Sequence, residues 1–330
     1  MALEPKYTVA ELRGFRAGAL REAAQKALAI DRMDLEEFAA QENGDVGIAL
    51  VQLAGAIVWQ SRVALDDYLF AQDDIADLLP PDFQVARMAF AERLIQCRDW
   101  LHFRSPDIGP DMANVGGCIV DLIAIGQAAN AAELCEVSRQ VLEETGYSWQ
   151  VFWRNRRGTK PEIPDEEFPT QKLLPFAHEL IAAQAGEEID WEALFLETEP
   201  GYIAAARSVM STDMAKVKAA VDALCDLHIT FTTPNPDGNL RALEGYEIDT
   251  WHHMLWPTTV FAYLRVRQAH GLELPALDHP LLRQTMGQFP PRPFKTQDLP
   301  EWYLSALEAL GNADPNLSDL RSLVMRENTL

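Results

Sequence analysis

Residues 112–146 read MANVGGCIVDLIAIGQAANAAELCEVSRQVLEETG, and this stretch decides the fold class. Two apolar runs of helical length flank Gly126, and the small residues around that glycine let two closely packed helices meet at a tight corner. A single helical hairpin cannot bury its apolar side alone, so it stacks against another. The chain shows no clean repeat of about 34 residues, which argues against a regular tetratricopeptide array. The expectation is a mainly α protein built of irregular stacked helical hairpins or a helical bundle.

The same pattern extends in both directions. From Val9 to about Ala40, alanine, leucine and long polar residues alternate at helical intervals, and Asp34 is placed to cap a second short helix from Leu35. Residues 44–74, GDVGIALVQLAGAIVWQSRVALDDYLFAQDD, carry apolar residues on more than one face. They predict a helix buried between neighbours, with Gly47 and Gly55 marking close approach or helix ends. Pro80-Pro81 closes that region, and a helix is predicted from Phe83 to His102.

Residues 153–169, WRNRRGTKPEIPDEEFP, switch from basic to acidic and hold three prolines. They read as a polar connection at 154–169 between an N-terminal helical region, 1–153, and a C-terminal one, 170–330, with one shared core left open. The cluster Arg154, Arg156, Arg157 and Lys160 reads as a solvated or acid-paired face. Beyond it KLLPFAHELIAAQAG, WEALFLETEPGYIAAARSVM and MAKVKAAVDALCDLHI read as helices, and ITFTT as a short extended run. A helix is expected across Trp251 to Ala269, which Pro257 either introduces or kinks, and another at Pro300 to Leu310.

Composition bounds the function. Of 330 residues, 48% are hydrophobic and 24% charged, which is globular usage; 50 acidic against 28 basic residues leave a formal charge of −22. That excess repels phosphate and attracts basic proteins, so nucleic acid is not an expected direct partner. The same acidity also serves solubility. Cys97, Cys118, Cys135 and Cys225 have no C-x-x-C spacing and read as separate buried thiols of a reducing compartment. The charged, amphipathic first 34 residues lack the apolar core of a signal peptide, and no tract is long enough for a membrane span; a cytoplasmic location is expected.

The sharpest chemical motif is DDIAD, with Asp73, Asp74 and Asp77. On one helix Asp73 and Asp77 share a face, and paired carboxylates hold magnesium against a diphosphate. The motif resembles the aspartate-rich element of class I terpene synthases, which implies a magnesium-dependent isoprenoid-diphosphate enzyme. The second metal motif of that family is incomplete: STDMAKVKAA offers Thr212 and Asp213, but places Lys216 and Lys218 where the ligand run should continue and lacks its Glu. His252 and His253 are adjacent and cannot point the same way from one helix, and Asp249 and His253 can meet at i, i+4; helix capping or a buried polar contact is the expected role. Two aromatic clusters, Tyr147, Trp149, Phe152 and Trp153, then Trp251, Trp256, Phe261 and Tyr263, suit core packing or a partner contact. No catalytic residue, cofactor site or firm metal site follows from the sequence.

Residues 246–282, YEIDTWHHMLWPTTVFAYLRVRQAHGLELPALDHPLL, resemble the C-terminal part of bacterial immunity proteins of polymorphic toxin systems, the Imm49-like group. The resemblance lies in Trp256-Pro257, the following Ala262, Leu264, Ala269 and Gly271, and the exit at Leu272, Leu274 and Leu277. Residues 44–65 and 119–137 have the matching paired-helix character. It implies a helical protein, with no reaction of its own, that stays in the producing cell and masks a cognate, basic toxin delivered by a secretion system. On this reading Asp66, Asp67, Asp73, Asp74 and Asp77 are the electrostatic contacts, and Tyr68 and Phe70 supply adjacent packing. A helical adaptor or regulatory protein is the alternative, and the isoprenoid-diphosphate enzyme with bound Mg2+ a third. The sequence sets no oligomeric state.

Overall fold

The computed structural model describes residues 5, 7–14, 18–41, 44–70, 82–103, 112–144, 172–191, 198–233, 248, 253–284, 287–289 and 299–326. Among them are twelve α-helices and no strand, so the chain is mainly α. The chain packs into two compact units that alternate along the sequence. The first comprises Met1–Phe15 and Gln96–Phe289, the second Arg16–Ile95 and Pro290–Leu330. Both sides of the polar connection expected at 154–169 contribute to the first unit; the connection itself lies outside the described residues.

In the first unit the organising element is α5 (Met112–Ala124), which packs on α6 (Ala128–Glu144), α7 (Leu173–Gln184) and α10 (Thr258–Ala269). Because it is covered by three helices, Val115, Ile119, Val120, Leu122, Ile123 and Ala124 are all buried. The predicted corner after α5 is present. Gly126 takes φ 89°, and the Gln127 amide reaches back to the Leu122 carbonyl at 2.7 Å, the closing bond of a glycine-terminated helix. Gly116 lets α5 meet α7: a β-carbon there would lie 2.4 Å from the Leu174 backbone nitrogen. The unit also contains α1 (Val9–Gly14), and is continued by α8 (Pro200–Arg207) and α9 (Met214–Thr230). Asp213 caps α9 by accepting from the Ala215 and Lys216 amides.

A buried arginine ties these pieces together. Arg267 of α10 is 1% exposed and donates to the carbonyls of Val209 (2.7 Å), Ser211 (2.8 Å) and Glu273 (2.7 and 3.0 Å). One guanidinium thereby satisfies carbonyls of the turn after α8 and of the loop after its own helix, which no side chain with fewer donors achieves.

The second unit is built on a hairpin of α2 (Gly18–Gln41) and α3 (Val46–Phe70), closed by α11 (Glu301–Ala313), which packs on both, and α12 (Leu320–Met325). Leu35 and Phe38 of α2, Ala49, Leu53, Ala56 and Ile57 of α3, and Tyr303, Ala306, Leu307 and Leu310 of α11 form its interior. The N-terminal part of α4 (Asp82–Phe103) adds Met88, Phe90 and Leu94. Asp45 starts α3 by accepting from the Ile48 amide at 3.0 Å, and Gly44 leaves room for the Phe38 ring, which a β-carbon would meet at 2.3 Å.

Three local expectations are corrected. Asp34 does not begin a new helix: α2 runs unbroken through it, and its carboxylate accepts from Gln52 Nε2 of α3 at 2.7 Å, a bond between helices in place of a cap. The ITFTT run is only partly extended: its first two residues, Ile229 and Thr230, close α9, Phe231 is a turn, and Thr232 forms an isolated parallel bridge with Ile248. Pro257 introduces α10 and does not kink it: helix begins at Thr258, after turns at 253–256.

The glycine pair in α5 gives a test with opposite signs. Gly116→Ala forces a β-carbon into the Leu174 backbone and is expected to destabilise the protein by about 2 kcal/mol. At Gly117 the nearest atom to an added β-carbon is 3.9 Å away, so Gly117→Ala is expected to stabilise by up to about 1 kcal/mol through helix propensity. Urea unfolding midpoints of both variants check this.

Candidate functional site

The second unit carries an uncommon surface. Its buried residues fix which side of the α2–α3 hairpin faces inward, and the other side bears Ile30 and Met33 of α2 with Ile48 and Val51 of α3. These are 56, 59, 59 and 72% exposed. Each pair is spaced i, i+3, so each forms a short stripe along its helix. The helices are held in register by the Asp34–Gln52 bond, and Gly55 draws them close, since a β-carbon there would lie 3.2 Å from Asp31 Oδ2. Scattered exposed apolar residues need no explanation, but four large ones on one hairpin do.

Carboxylates outnumber bases on the same hairpin. Over the described side chains of the hairpin, Glu22, Asp31, Asp34, Glu36, Glu37 and Asp45 face only two bases, Lys26 and Arg32. Each base is taken by a carboxylate of its own helix: Lys26 by Glu22 and Arg32 by Glu36, both at 2.8 Å. The hairpin therefore keeps a net negative charge beside its apolar stripes.

The residues singled out from sequence fall differently. Asp66, Asp67, Tyr68 and Phe70 lie on the last turns of α3, the same helix as Ile48 and Val51, and their side chains are outside the described set. Asp73, Asp74 and Asp77 lie outside the described residues altogether, as do His252, Asp249, Trp251, the aromatic cluster at 147–153 and the basic cluster at 154–160. In the second stretch considered for magnesium, Asp213 is a helix cap and Lys218 is bound by Asp222 (2.6 Å) and Asp278 (2.8 Å). Among the described residues no group of three or more His, Cys, Asp or Glu has metal-holding geometry. The stripe Ile30–Met33 was not read from the sequence. Its signal was present as apolar residues on the side of α2 away from Leu35, within an alanine-rich helix whose two faces differ little.

The first unit buries several further polar groups. His253 Nε2 lies 3.1 Å from Asp121 Oδ2 of α5, near enough to pair but without hydrogen-bond alignment, and its ring stacks on Trp256. Its carboxylate neighbour thus comes from a distant helix. Glu179, wholly buried, accepts from Trp191 Nε1 at 2.5 Å and Arg207 Nε at 2.6 Å. Above this pair lies an open cavity of about 670 Å3 lined by Glu188, Asp190, Trp191, Pro200, Ile203 and Arg207. Arg207 also donates to the Ile189 carbonyl at 2.9 Å, so the one cation among the cavity's described lining residues is already engaged.

His178 and His228 complete the set. Ser138 Oγ donates its single hydrogen to the Cys135 carbonyl at 2.9 Å, so His178 Nε2, 3.1 Å away, is the donor to Ser138 Oγ. His228 Nε2 likewise donates to the Met254 carbonyl at 3.2 Å, leaving Nδ1 bare and buried. Both imidazoles are neutral: burial pulls each pKa down to about 4, the Arg139 charge adding to the effect at His178. The Ser138–His178 contact is sealed from solvent, and it reads as a packing contact.

Comparisons of the chain with protein-family models, with curated proteins and with solved structures find no match. No helix among the described residues is long and apolar enough to cross a membrane. What can be stated of its class is a mainly α protein whose second unit exposes an apolar, acid-lined helix pair.

The buried histidines predict an acid response. Unfolded histidine binds a proton near pH 6.5, whereas these two resist it until about pH 4 in the folded state. Between those values the unfolded chain holds more protons, so stability falls as pH drops from about 6.5 to about 4, by about 3 kcal/mol per histidine. Urea titrations across that range are expected to show the loss, and His178→Gln/His228→Gln, which keeps a donor at each site, to flatten it.

Proposed function

We propose that the chain is a toxin-neutralising immunity protein that acts by binding: it masks a cognate, basic toxin in the cytoplasm and performs no reaction of its own. The observation that carries this reading is the conjunction of a formal charge of −22 with exposed apolar side chains set among carboxylates on one helical hairpin. Acidic surface accelerates encounter with a basic protein, and apolar contact slows its release. The resemblance of residues 246–282 to the Imm49-like group supports the same reading from a different part of the chain. The carboxylates of α3 and of the DDIAD stretch, Asp66, Asp67, Asp73, Asp74 and Asp77, extend the acidic field in sequence, with Tyr68 and Phe70 beside them.

The mechanism requires only coverage. A protein of this size laid across a toxin's substrate entrance blocks it sterically, and the electrostatic part of the association weakens as salt screens it.

Affinity capture from the source cells, with identification and titration of what binds, tests the proposal. A single basic toxin held at nanomolar strength and inactivated in proportion to occupancy is the expected result. Several weak, non-toxin partners would replace it with an adaptor role.

A further inference from the structure

We infer that the outward face of the α2–α3 hairpin is a docking groove for an amphipathic, lysine- or arginine-bearing α-helix of a protein partner. The inference deepens the reading of the chain as a binder of a basic protein and assigns that binding a place and a form. Two antiparallel helices side by side leave a shallow groove along their seam. The exposed apolar side chains of the pair are Ile30 and Met33 on α2 and Ile48 and Val51 on α3, and on this inference they lie along that groove.

Three features select the occupant. Each stripe is spaced i, i+3, the spacing at which a helix laid along the groove presents its own apolar anchors. The backbone of the hairpin is bonded within its helices, so it offers an extended peptide no strand edge to pair with; recognition falls to side chains, which favours a helix over a strand. Among the described side chains the flanking charge is negative, because Lys26 and Arg32 are both matched by Glu22 and Glu36 and the carboxylates of Asp31, Asp34 and Asp45 add to the rim. An apolar stripe bordered by lysine or arginine complements that rim, and an acidic or neutral one does not.

The test uses the full chain and a synthetic amphipathic leucine–lysine peptide of about five helical turns as probe. A scrambled peptide of the same composition, with no apolar face, is the control. Fluorescence anisotropy is expected to show binding of the amphipathic probe at least about 10-fold tighter than the scramble. The decisive variants are Met33→Glu and Val51→Glu. Both positions are more than half exposed, and each variant adds a negative charge. Pure charge attraction would strengthen, whereas docking on the apolar stripes is expected to weaken at least about 10-fold. Met33→Ala/Val51→Ala gives the same sign with less disturbance, and circular dichroism checks that each variant is folded.

Affinity that is unchanged or raised in the Glu variants, or equal for the two peptides, would overturn the groove. Sedimentation supplies the other arm: a dimer of the chain that Val51→Glu converts to monomer would give the face to a second copy and overturn the inference as well. The inference and the proposed function fail separately. A captured toxin indifferent to Met33→Glu and Val51→Glu removes the groove and leaves neutralisation standing. Variant-sensitive binding of the peptide without any toxin partner does the reverse.

Discussion

The contact between α5 and α7 at Gly116 and Leu174 is the constraint on which the first unit rests. Backbone meets backbone there, and a side chain of any size on α5 at that point would hold the helices apart. Because they touch, α5 is enclosed by α6, α7 and α10, and its apolar residues on nearly every side find a partner. Interiors packed to this density transmit small displacements, so the placement of Asp121 against His253 depends on the same approach.

Polar groups inside this unit are matched by type. Arg267 meets only uncharged acceptors, four bonds to three carbonyls, and Glu179 meets one cation and one indole N–H. The histidines lose their charge altogether and keep a single donated bond each. A charged side chain survives burial where several fixed donors or acceptors surround it, and a titratable one with fewer partners gives up its proton.

Much of the fold was legible because helices announce themselves over short distances. The α5–α6 corner follows from two periodic runs around Gly126, and α4 was expected at Phe83 to His102 and lies at Asp82–Phe103. Asp34 misled because an aspartate before Leu-Glu-Glu has the composition of a cap, while its actual partner, Gln52, belongs to the next helix. Proline before a helix and proline within one look alike in sequence, so only the backbone decided Pro257. The site was less legible. Whether Met33 or Val51 faces water depends on where α11 packs, and α11 is contributed by the far end of the chain. His253 found its carboxylate on α5 for the same reason: pairings across long sequence separations leave no local pattern.

The alternation of the two units along the chain bears on how the protein is made. The α2–α3 hairpin is completed by α11 and α12, yet the whole run from Gln96 to Phe289 is synthesised in between. At ribosomal rates of about 5–20 residues per second, that interval lasts roughly 10–40 seconds. During it Leu35, Phe38, Leu53 and Ile57, which are later buried, belong to a hairpin without its closing helices. The second unit therefore lacks part of its interior until synthesis is nearly finished, whereas every segment of the first unit has been made once Phe289 is added.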